Sequence, residues 1–284
     1  MKLSLSVRIA EDAAKRSISL SLKQFAELAR RTGYHAVCMR ASAGGVQTAG
    51  HELAAMRAEL DRLGLAVSMA TTDFEVPLNN DHGPDALRDF EPHLQVADLL
   101  GATLIRVCMK TEDDIAWASR AADQAAERGI RIAHQCHTTS LFETVDGCLD
   151  VLKRVDRKNF GIIYEPANLM LCGQPYGADV LKALSPYLMN VYLQNHRLNP
   201  DGTATIETWV KGPVRFDPIP LWEPGGVDLE AVFDGLSAIR YQGYVTVHQA
   251  FAELAGPREA AEKSHAYLTR LTTDFEPPLD SGVS

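Results

Sequence analysis

Polar side chains stand at the ends of four short apolar runs in the second half of the chain. The runs are AHQCH (133–137), IIYEPAN (162–168), NVYLQN (190–195) and YVTVHQ (244–249). The groups in them that could do chemistry are one carboxylate, two imidazoles, three amides and a phenol: Glu165, His137, His248, Gln135, Asn168, Gln194 and Tyr192. If the runs are parallel strands of one barrel, their carboxyl ends meet where such barrels bind substrates.

These side chains could hold a metal ion. Glu165 and His248 are reasonable ligands for a divalent ion, and the amide oxygens of Gln135 and Gln194 are weaker third and fourth donors. Taken alone, Glu165 could equally be a helix cap or an ion-paired carboxylate, and His248 could merely hydrogen-bond a loop. The convergence of the whole set favours a site, in which Glu165, His248 and His137 are candidate catalytic residues.

Cationic residues also stand at or beyond the strand ends, namely Arg40, Arg106, Lys110, Arg197 and Lys211. Guanidinium and ammonium groups suit a carboxylate or a phosphate, so we expect a substrate with an anionic group. The alternative is that Arg106 pairs with a structural acid and that Arg197 and Lys211 are solvated. A desolvated Lys110 could form a Schiff base with a keto sugar, which makes it a further catalytic candidate.

The long segment 195–227 has the length and position of a lid over the site. It carries Trp209, Lys211 and Trp222, which could cover a small polar substrate. The candidate substrate-binding residues are therefore Arg40, Arg106, Gln135, Tyr192, Gln194, Arg197, Trp209 and Lys211.

The elements that must position these residues alternate along the chain. The predicted strands are 3–9, 35–40, 65–70, 103–109, 130–135, 160–165, 188–194 and 243–248. The predicted helices are 22–33, 51–64, 85–101, 112–129, 140–155, 177–186, 228–242 and 257–272. Strict alternation favours parallel strands joined by right-handed crossovers, so the predicted fold is α/β, a closed (β/α)8 TIM barrel. An open Rossmann sheet is disfavoured because no G-x-G-x-x-G follows the first strand.

Length and composition agree with a single barrel. The 284 residues contain no linker-like break, so we expect one domain over 1–273 and a flexible C-terminal tail over 274–284. A net charge of −9 with no basic face disfavours nucleic acid as a partner. Without a long apolar segment or a signal peptide, we expect a cytoplasmic protein with no membrane contact and with reduced cysteines. The sequence allows a homo-oligomer but does not indicate one.

The chain resembles the sugar isomerase/epimerase superfamily, which has a xylose isomerase-like TIM barrel. The motifs that carry the resemblance are AHQCH for a-l-E-n-H, YEPAN (164–168) for y-D-p-a-N, NVYLQN for h-v-H-l-K-D, EPGGVD (223–228) for G-e-G-x-v-D, and GYVTVH (243–248) for G-y-i-s-i-E. The superfamily includes hydroxypyruvate isomerase, tagatose and psicose 3-epimerases, inosose dehydratase and type IV endonucleases. The resemblance implies a divalent ion, commonly Mn, Mg, Co or Zn.

The chain departs from this superfamily at the metal-binding positions. The resemblance implies ligands Glu, Asp, His and Glu from strands five to eight, where this sequence has Gln135, Glu165, Tyr192 and His248. An amide cannot abstract a proton, and the formal ligand charge falls from about −3 to about −1. A metal is therefore either bound by a changed set of ligands, which includes Glu165 and His248 and could include Gln135, Gln194 or His137, or it has been lost.

The resemblance implies an isomerase or epimerase that acts on a small keto or hydroxy sugar or sugar acid through a metal-stabilised enediolate. Because the two glutamates are missing, lyase activity is an alternative. Decarboxylation of an oxo sugar acid gives the same enediolate as an epimerase, but it needs no base to remove a carbon-bound proton. A dehydratase is a related alternative, and a non-catalytic sugar-binding barrel is the third. Endonuclease activity is disfavoured by the acidic charge balance and the missing ligands.

Overall fold

The computed structural model describes residues 1–72, 81–250 and 254–273, and its centre is a closed barrel of eight parallel strands. Eleven strands occur in chain order: β1 (Lys2–Ser6), β2 (Ala36–Met39), β3 (Ala66–Thr71), β4 (Leu104–Val107), β5 (Arg131–Gln135), β6 (Phe160–Tyr164), β7 (Leu188–Leu193), β8 (His196–Leu198), β9 (Ala204–Thr208), β10 (Gly212–Pro218) and β11 (Tyr244–Val247). The barrel order is β1-β11-β7-β6-β5-β4-β3-β2, which confirms the predicted TIM barrel.

Helices follow the barrel strands and cover the outside of the sheet. They are α1 (Leu22–Thr32), α2 (Gly50–Arg62), α3 (Glu91–Leu100), α4 (Asp113–Ala126), α5 (Val145–Val155), α6 (Pro166–Leu171), α7 (Ala178–Leu184), α8 (Leu229–Ala238) and α9 (Gly256–Thr273). The helix ends follow local chemistry: Ser21 and Gln24 form a capping box at the start of α1, and Gly33 ends it with a φ of 107°.

Two hydrophobic layers hold the barrel together. The larger lies between the strands and the helices. The smaller fills the barrel interior with one residue from each of six strands: Cys38, Met69, Leu104, Ala133, Ile163 and Tyr192. The interior also contains paired polar groups, such as the Ser4 and Ser68 hydroxyls, whose oxygens lie 2.7 Å apart.

The structure differs from the predicted elements most clearly in three places. The predicted strand 3–9 ends at Ser6 and continues as a 3-10 helix over Val7–Ala10, where the Ser6 hydroxyl accepts from the Arg8 amide. The predicted helix 85–101 is divided into a 3-10 helix (Gly83–Leu87) and α3, because a proline such as Pro92 is tolerated only in the first turn of a helix. Short α6, directly after β6, was not predicted.

The predicted lid is an ordered sheet rather than an irregular loop. Strands β8, β10 and β9 pair antiparallel in that order, and a turn over 209–211 connects β9 to β10. Val214 and Phe216 pack with Leu171 of α6, next to Ile206. The alternation of these apolar residues with exposed ones is the usual signature of a hairpin with one buried face.

None of the helices in the described ranges is long and apolar enough to cross a lipid bilayer. The predicted tail 274–284 lies outside the described residues.

Candidate active site

The period of two along each barrel strand explains which side chains reach the barrel mouth. All six residues of the interior cluster are followed, two positions later, by a polar residue: Arg40, Thr71, Arg106, Gln135, Glu165 and Gln194. In the same way, Arg8 follows buried Ser6, and His248 follows buried Thr246. Strand periodicity therefore sends cations, amides, a carboxylate and an imidazole to one end of the barrel.

The cations, amides and imidazole of this set line a cavity of about 520 Å³, which suits a small polar molecule. We call one side the cationic half; it comes from β1, β2 and β4 and their following loops, and it contains Arg8, Lys15, Arg40 and Arg106. We call the other side the neutral half; it comes mainly from β5 to β8 and β11, and it contains Gln135, His137, Asn168, Gln194, His196 and His248. Glu207 is the one acidic side chain among the described residues of the lining.

Glu165 lies fully buried directly beneath the neutral half, and three amide groups donate to its carboxylate. Gln135 Nε2 and Asn168 Nδ2 donate to Oε2, the latter over 3.0 Å, and Gln194 Nε2 donates to Oε1. Burial raises the pKa of Glu165 to about 7, although the hydrogen bonds from Gln194 and Gln135 and the Arg106 charge oppose this shift. Because a carboxylate only accepts hydrogen bonds, it turns each amide nitrogen towards itself.

The orientation of Gln135 leaves an acceptor for a ligand. Its Oε1 is buried, and it has no hydrogen-bond partner among the described residues. A buried carbonyl oxygen without a donor is costly, so this atom favours a hydroxyl or ammonium group of a bound molecule. Gln135 also lines the cavity, so the unpartnered oxygen belongs to a side chain that borders the space for such a molecule.

His248 is held by stacking and by a serine. Its ring stacks on Tyr192 with a centroid distance of 3.7 Å and an interplanar angle of 8°, and its Nδ1 lies 3.1 Å from Ser6 Oγ. The Tyr192 hydroxyl lies 3.2 Å from Cys38 Sγ, so Tyr192 is part of the barrel interior below the cavity. Burial, together with the Arg40 and Arg8 charges, lowers the pKa of His248 well below its usual value. The imidazole is neutral at pH 7.

The other two imidazoles of the neutral half are also neutral. Burial and the Arg106 charge lower the pKa of His137 to about 3, and its Nδ1 donates to the carbonyl of Thr138 over 2.9 Å. Burial lowers the pKa of His196 to about 4, and its ring packs against Phe216. Neutral imidazoles can donate or accept a hydrogen bond but add no charge.

A buried carboxylate organises the cationic half. Glu11 accepts from Arg40 Nε (2.7 Å), Arg8 Nη1 (2.9 Å) and the Ser42 hydroxyl (2.6 Å). Burial raises the pKa of Glu11, but the charges of Arg40 and Arg8 outweigh burial and the pKa is lowered overall. One carboxylate thus fixes two guanidinium groups and neutralises only one of their two charges. Together with Arg106 and Lys15, the cationic half keeps an excess of positive charge in a protein of net charge −9.

The β9–β10 hairpin covers one side of the cavity with apolar residues. Ile206 and Phe216 line the cavity beside Leu171. The turn of the hairpin is fixed to the barrel by buried Glu143, which accepts from the backbone N–H groups of Trp209 and Val210 over 2.8–3.0 Å and from that of Thr139 over 2.9 Å. The segment therefore covers the site, as its length suggested, but as a roof anchored at its turn.

Several predicted site residues lie away from the described lining of the cavity. Lys110 Nζ donates to Asp81 over 3.1 Å, and Arg197 is exposed and donates to the carbonyl of Pro224. Trp209 is 56% exposed at the hairpin turn, and Lys211 is exposed beside Gly173. Trp222 lies under the Lys263 ammonium at 5.4 Å and packs on the outer core. Roles for these residues in substrate binding or catalysis stay predictions.

The sequence prediction missed Arg8 and Lys15, which both line the cavity. A signal for Arg8 exists, because Ser4, Ser6 and Arg8 alternate with the outward Leu3, Leu5 and Val7. No periodic signal exists for Lys15, which lies in an irregular loop.

A sequence profile of the xylose isomerase-like TIM barrel family matches residues 26–271. The chain belongs to this family. An inosose dehydratase from Geobacillus thermodenitrificans is 25% identical over 156 residues, which are 53% of this chain and 51% of the relative. The match therefore spans about half the length of that curated relative.

Solved structures of the family share the fold at low sequence identity. A xylose isomerase domain protein from Planctomyces limnophilus has a TM-score of 0.72 at 18% identity, with 96% of this chain and 97% of the other covered. A probable 3-DHS dehydratase from Bacillus anthracis has 0.71 at 15%, with 95% and 99% covered. A D-psicose 3-epimerase has 0.68 at 13%, with 95% and 98% covered. The neighbours thus include both epimerases and dehydratases.

Metal ions occur in other members of the family. A Mycobacterium smegmatis xylose isomerase-like TIM barrel protein was solved in complex with magnesium; it has a TM-score of 0.67 at 15% identity, with 96% and 97% of the chains covered. The described residues of the present chain do not form the kind of ligand set that such an ion prefers. Within the described ranges, no three His, Cys, Asp or Glu side chains are grouped to hold a metal, both Glu165 oxygens face amide N–H groups, and four cations line the same cavity.

Proposed function

We propose that the protein is an enzyme that binds a small hydroxylated oxo acid and stabilises an enediolate with cationic side chains. The observation that carries this proposal is the division of one cavity into a cationic half and a neutral half. The cationic half suits the carboxylate of the substrate and the developing oxyanion, and the neutral half suits its hydroxyl groups. The volume of about 520 Å³ is adequate for a sugar acid.

Among the activities open to such a site, we favour a lyase that decarboxylates an oxo sugar acid. An epimerase needs a base on each face of a carbon acid, whereas Glu165 is the one carboxylate beneath the neutral half and all three amides of that half cover it. Loss of carbon dioxide leaves an electron pair on carbon without removal of a carbon-bound proton. Arg106 and Arg40 then stabilise the negative charge on the adjacent oxygen, which is the task of a metal ion in the usual family site.

An isomerase or epimerase is the second candidate, and one observation favours it. The pKa of Glu165 is raised to about 7, which is the range that suits a general acid or base at neutral pH. In this alternative Glu165 moves the proton once substrate hydroxyl groups have displaced the amide of Gln135 or Gln194. A dehydratase would use the same carboxyl.

The test is a panel of oxo and hydroxy sugar acids in deuterated water, followed by NMR and by a carbon dioxide assay, with and without a chelator. We expect carbon dioxide release that the chelator does not reduce. Deuterium incorporation into recovered substrate without release of carbon dioxide would favour the isomerase. Loss of activity with the chelator would indicate that a metal ion takes part in the reaction. Binding without turnover across the panel would favour a non-catalytic barrel.

A matched pair of variants tests the anion site. Arg106→Gln removes a buried cation from the cavity lining, and Arg197→Gln removes an exposed one outside it. We expect Arg106→Gln to raise KM for the acid at least about tenfold more than for a neutral analogue, which corresponds to about 1.4 kcal/mol. Equal effects of the two variants would contradict a carboxylate site in the cationic half.

A further inference from the structure

Lys15 has an unusual position for a lysine. It lies in the loop between the 3-10 helix Val7–Ala10 and α1, and its side chain lines the cavity. Its Nζ makes no ion pair or hydrogen bond with the described residues of the chain. The Lys15 ammonium group is thus available to a bound molecule.

The backbone holds Lys15 in place at a conformational cost. Its φ is 59°, in the left-handed region, which is unfavourable for residues other than glycine. The loop is closed by a bridge between Glu11 and Ile18, and Asp12 accepts from the Arg16 amide, the Ser17 hydroxyl and, through its carbonyl, the Lys15 amide. A strained residue maintained by so many local bonds is a reason to look for a function.

The surroundings of Lys15 favour the neutral amine. Arg8 and Arg40 line the same half of the cavity. Burial, followed by the charges of Arg8 and Arg40, lowers the pKa of Lys15 to about 7. Roughly half of the molecules therefore carry a free amine at pH 7, on the order of a thousandfold more than for an exposed lysine.

We propose that Lys15 is a nucleophile that forms an imine with the carbonyl group of the oxo-acid substrate. This inference rests on the proposed decarboxylation of an oxo acid, and it deepens it by naming the group that receives the electron pair: a cationic imine on Lys15, which gives an enamine in place of the enediolate. The amine nitrogen bonds to the carbonyl carbon, and the carbonyl oxygen takes two protons and leaves as water. The product is a cationic imine, and the carboxylate of the substrate stays on the neighbouring guanidinium groups.

The imine also suits decarboxylation. When a carboxylate beta to the imine carbon leaves as carbon dioxide, its bonding electrons move into the C=N⁺ group and give a neutral enamine. Protonation of the enamine at carbon, followed by addition of water to the imine, releases the ketone and returns the amine of Lys15. No outside oxidant or reductant is needed, and the water released at the first step is consumed at the last.

Other lysines near the barrel mouth serve as controls. Lys110 is paired with Asp81, and Lys211 is exposed outside the described lining of the cavity. Neither has the combination of access to the cavity and neighbouring guanidinium groups. In this proposal the Schiff base therefore forms on Lys15, and not on Lys110 as the sequence analysis considered.

The experiment traps the imine with a simple probe. The full chain is incubated with pyruvate and sodium cyanoborohydride between pH 6 and 10, and the reduced adduct is located by peptide mass spectrometry. We expect the adduct on Lys15, with a rate that reaches half its maximum near pH 7. Lys15→Asn, which retains a residue that tolerates the left-handed region, should lose at least about nine-tenths of the adduct, and Lys110→Asn should keep it.

Two results would overturn the inference. One is an unchanged adduct yield in Lys15→Asn, and the other is labelling of all lysines in proportion to their exposure. Calorimetry with gluconate, which has a carboxylate but no ketone, separates this failure from failure of the proposed function. If gluconate binds and no adduct forms on Lys15, the anion site is supported and the role of Lys15 as a nucleophile is contradicted. If neutral dihydroxyacetone forms an adduct on Lys15 and gluconate does not bind, the role of Lys15 as a nucleophile is supported and the proposed oxo-acid function is contradicted.

Discussion

The two halves of the cavity differ in how they relate to the rest of the family. The neutral half comes from the strands whose ends carry the family-like motifs, and there amides and an imidazole replace charged positions. The cationic half comes from β1, β2 and β4, where no family motif was found, and it carries three guanidinium groups and the Lys15 amino group. The two halves thus differ in charge: neutral groups line one half, where the resemblance implies charged ligands, and cationic groups are concentrated in the other, which favours an anion over a metal cation.

The largest effect is expected from breaking the ion-pair cluster that organises the cationic half. Arg40→Met removes the guanidinium that donates to Glu11 over 2.7 Å and leaves a buried carboxylate with less compensation. We expect the free energy of unfolding to fall by about 3–5 kcal/mol in urea titrations. The double variant Arg40→Met with Glu11→Gln should regain part of this loss, since no buried charge is then left. No regain would mean that packing, not charge, is responsible.

The next effect concerns Glu165, which orients the neutral half. In Glu165→Gln one of the two side-chain oxygens becomes an N–H donor, so Gln135 or Gln194 must rotate. We expect kcat/KM to fall about 100-fold, which corresponds to about 2.7 kcal/mol. Glu207→Gln is the matched control, because Glu207 lines the cavity but is exposed on the hairpin. A larger loss of kcat/KM in Glu207→Gln than in Glu165→Gln would indicate that activity depends on Glu207, on the hairpin, rather than on Glu165.

Buried neutral histidines should make the fold sensitive to acid. The folded-state pKa is lowered by burial for five histidines: His93, His134, His137, His196 and His248. The unfolded chain therefore binds more protons as the pH falls through about 6.5, and stability is lost. Glu165 acts in the opposite direction, because its raised pKa adds stability as the pH falls from about 7 towards 4.5.

The histidines outnumber the carboxyl group, so we expect a net loss of about 2 kcal/mol between pH 7 and pH 6. Urea unfolding at both values measures it. His248→Gln should show a shallower dependence on pH than the parent protein. An identical slope in that variant would indicate that the pKa of His248 is the same in the folded and the unfolded chain.

The smallest effect is expected from restoring the family's carboxylate on β5. Gln135→Glu places a negative charge beside buried Glu165 and against the substrate anion. We expect kcat/KM to fall at least about tenfold, or about 1.4 kcal/mol, and the loss to be smaller at low pH, where the new carboxyl is protonated. The measurement is a profile of kcat/KM from pH 6 to pH 9. A gain at every pH would show that the neutral half is a damaged epimerase site.

The fold and one half of the site followed from the sequence. Period-two alternation places Gln135, Glu165, Gln194 and His248 at strand ends, and the structure brings all four to the barrel mouth. The same rule applied to β1 would have found Arg8. Sequence spacing did not indicate that Lys110 pairs with Asp81, because ion pairs between loops depend on tertiary packing. It did not find Lys15 either, because the sequence pattern of an irregular loop does not indicate which way a side chain points.

Glu143 has a consequence for the hairpin turn that follows from its hydrogen bonds. Trp209 and Val210 have side chains that are 56% and 47% exposed, but their backbone N–H groups donate to a carboxylate that is only 3% exposed. Their amide hydrogens should exchange with deuterated solvent slowly, although the turn lies at the surface. Charge-assisted bonds of about 1.5–3 kcal/mol correspond to protection of roughly 10- to 100-fold. The tip of the hairpin is therefore locally rigid in solution while its aromatic ring stays accessible to water.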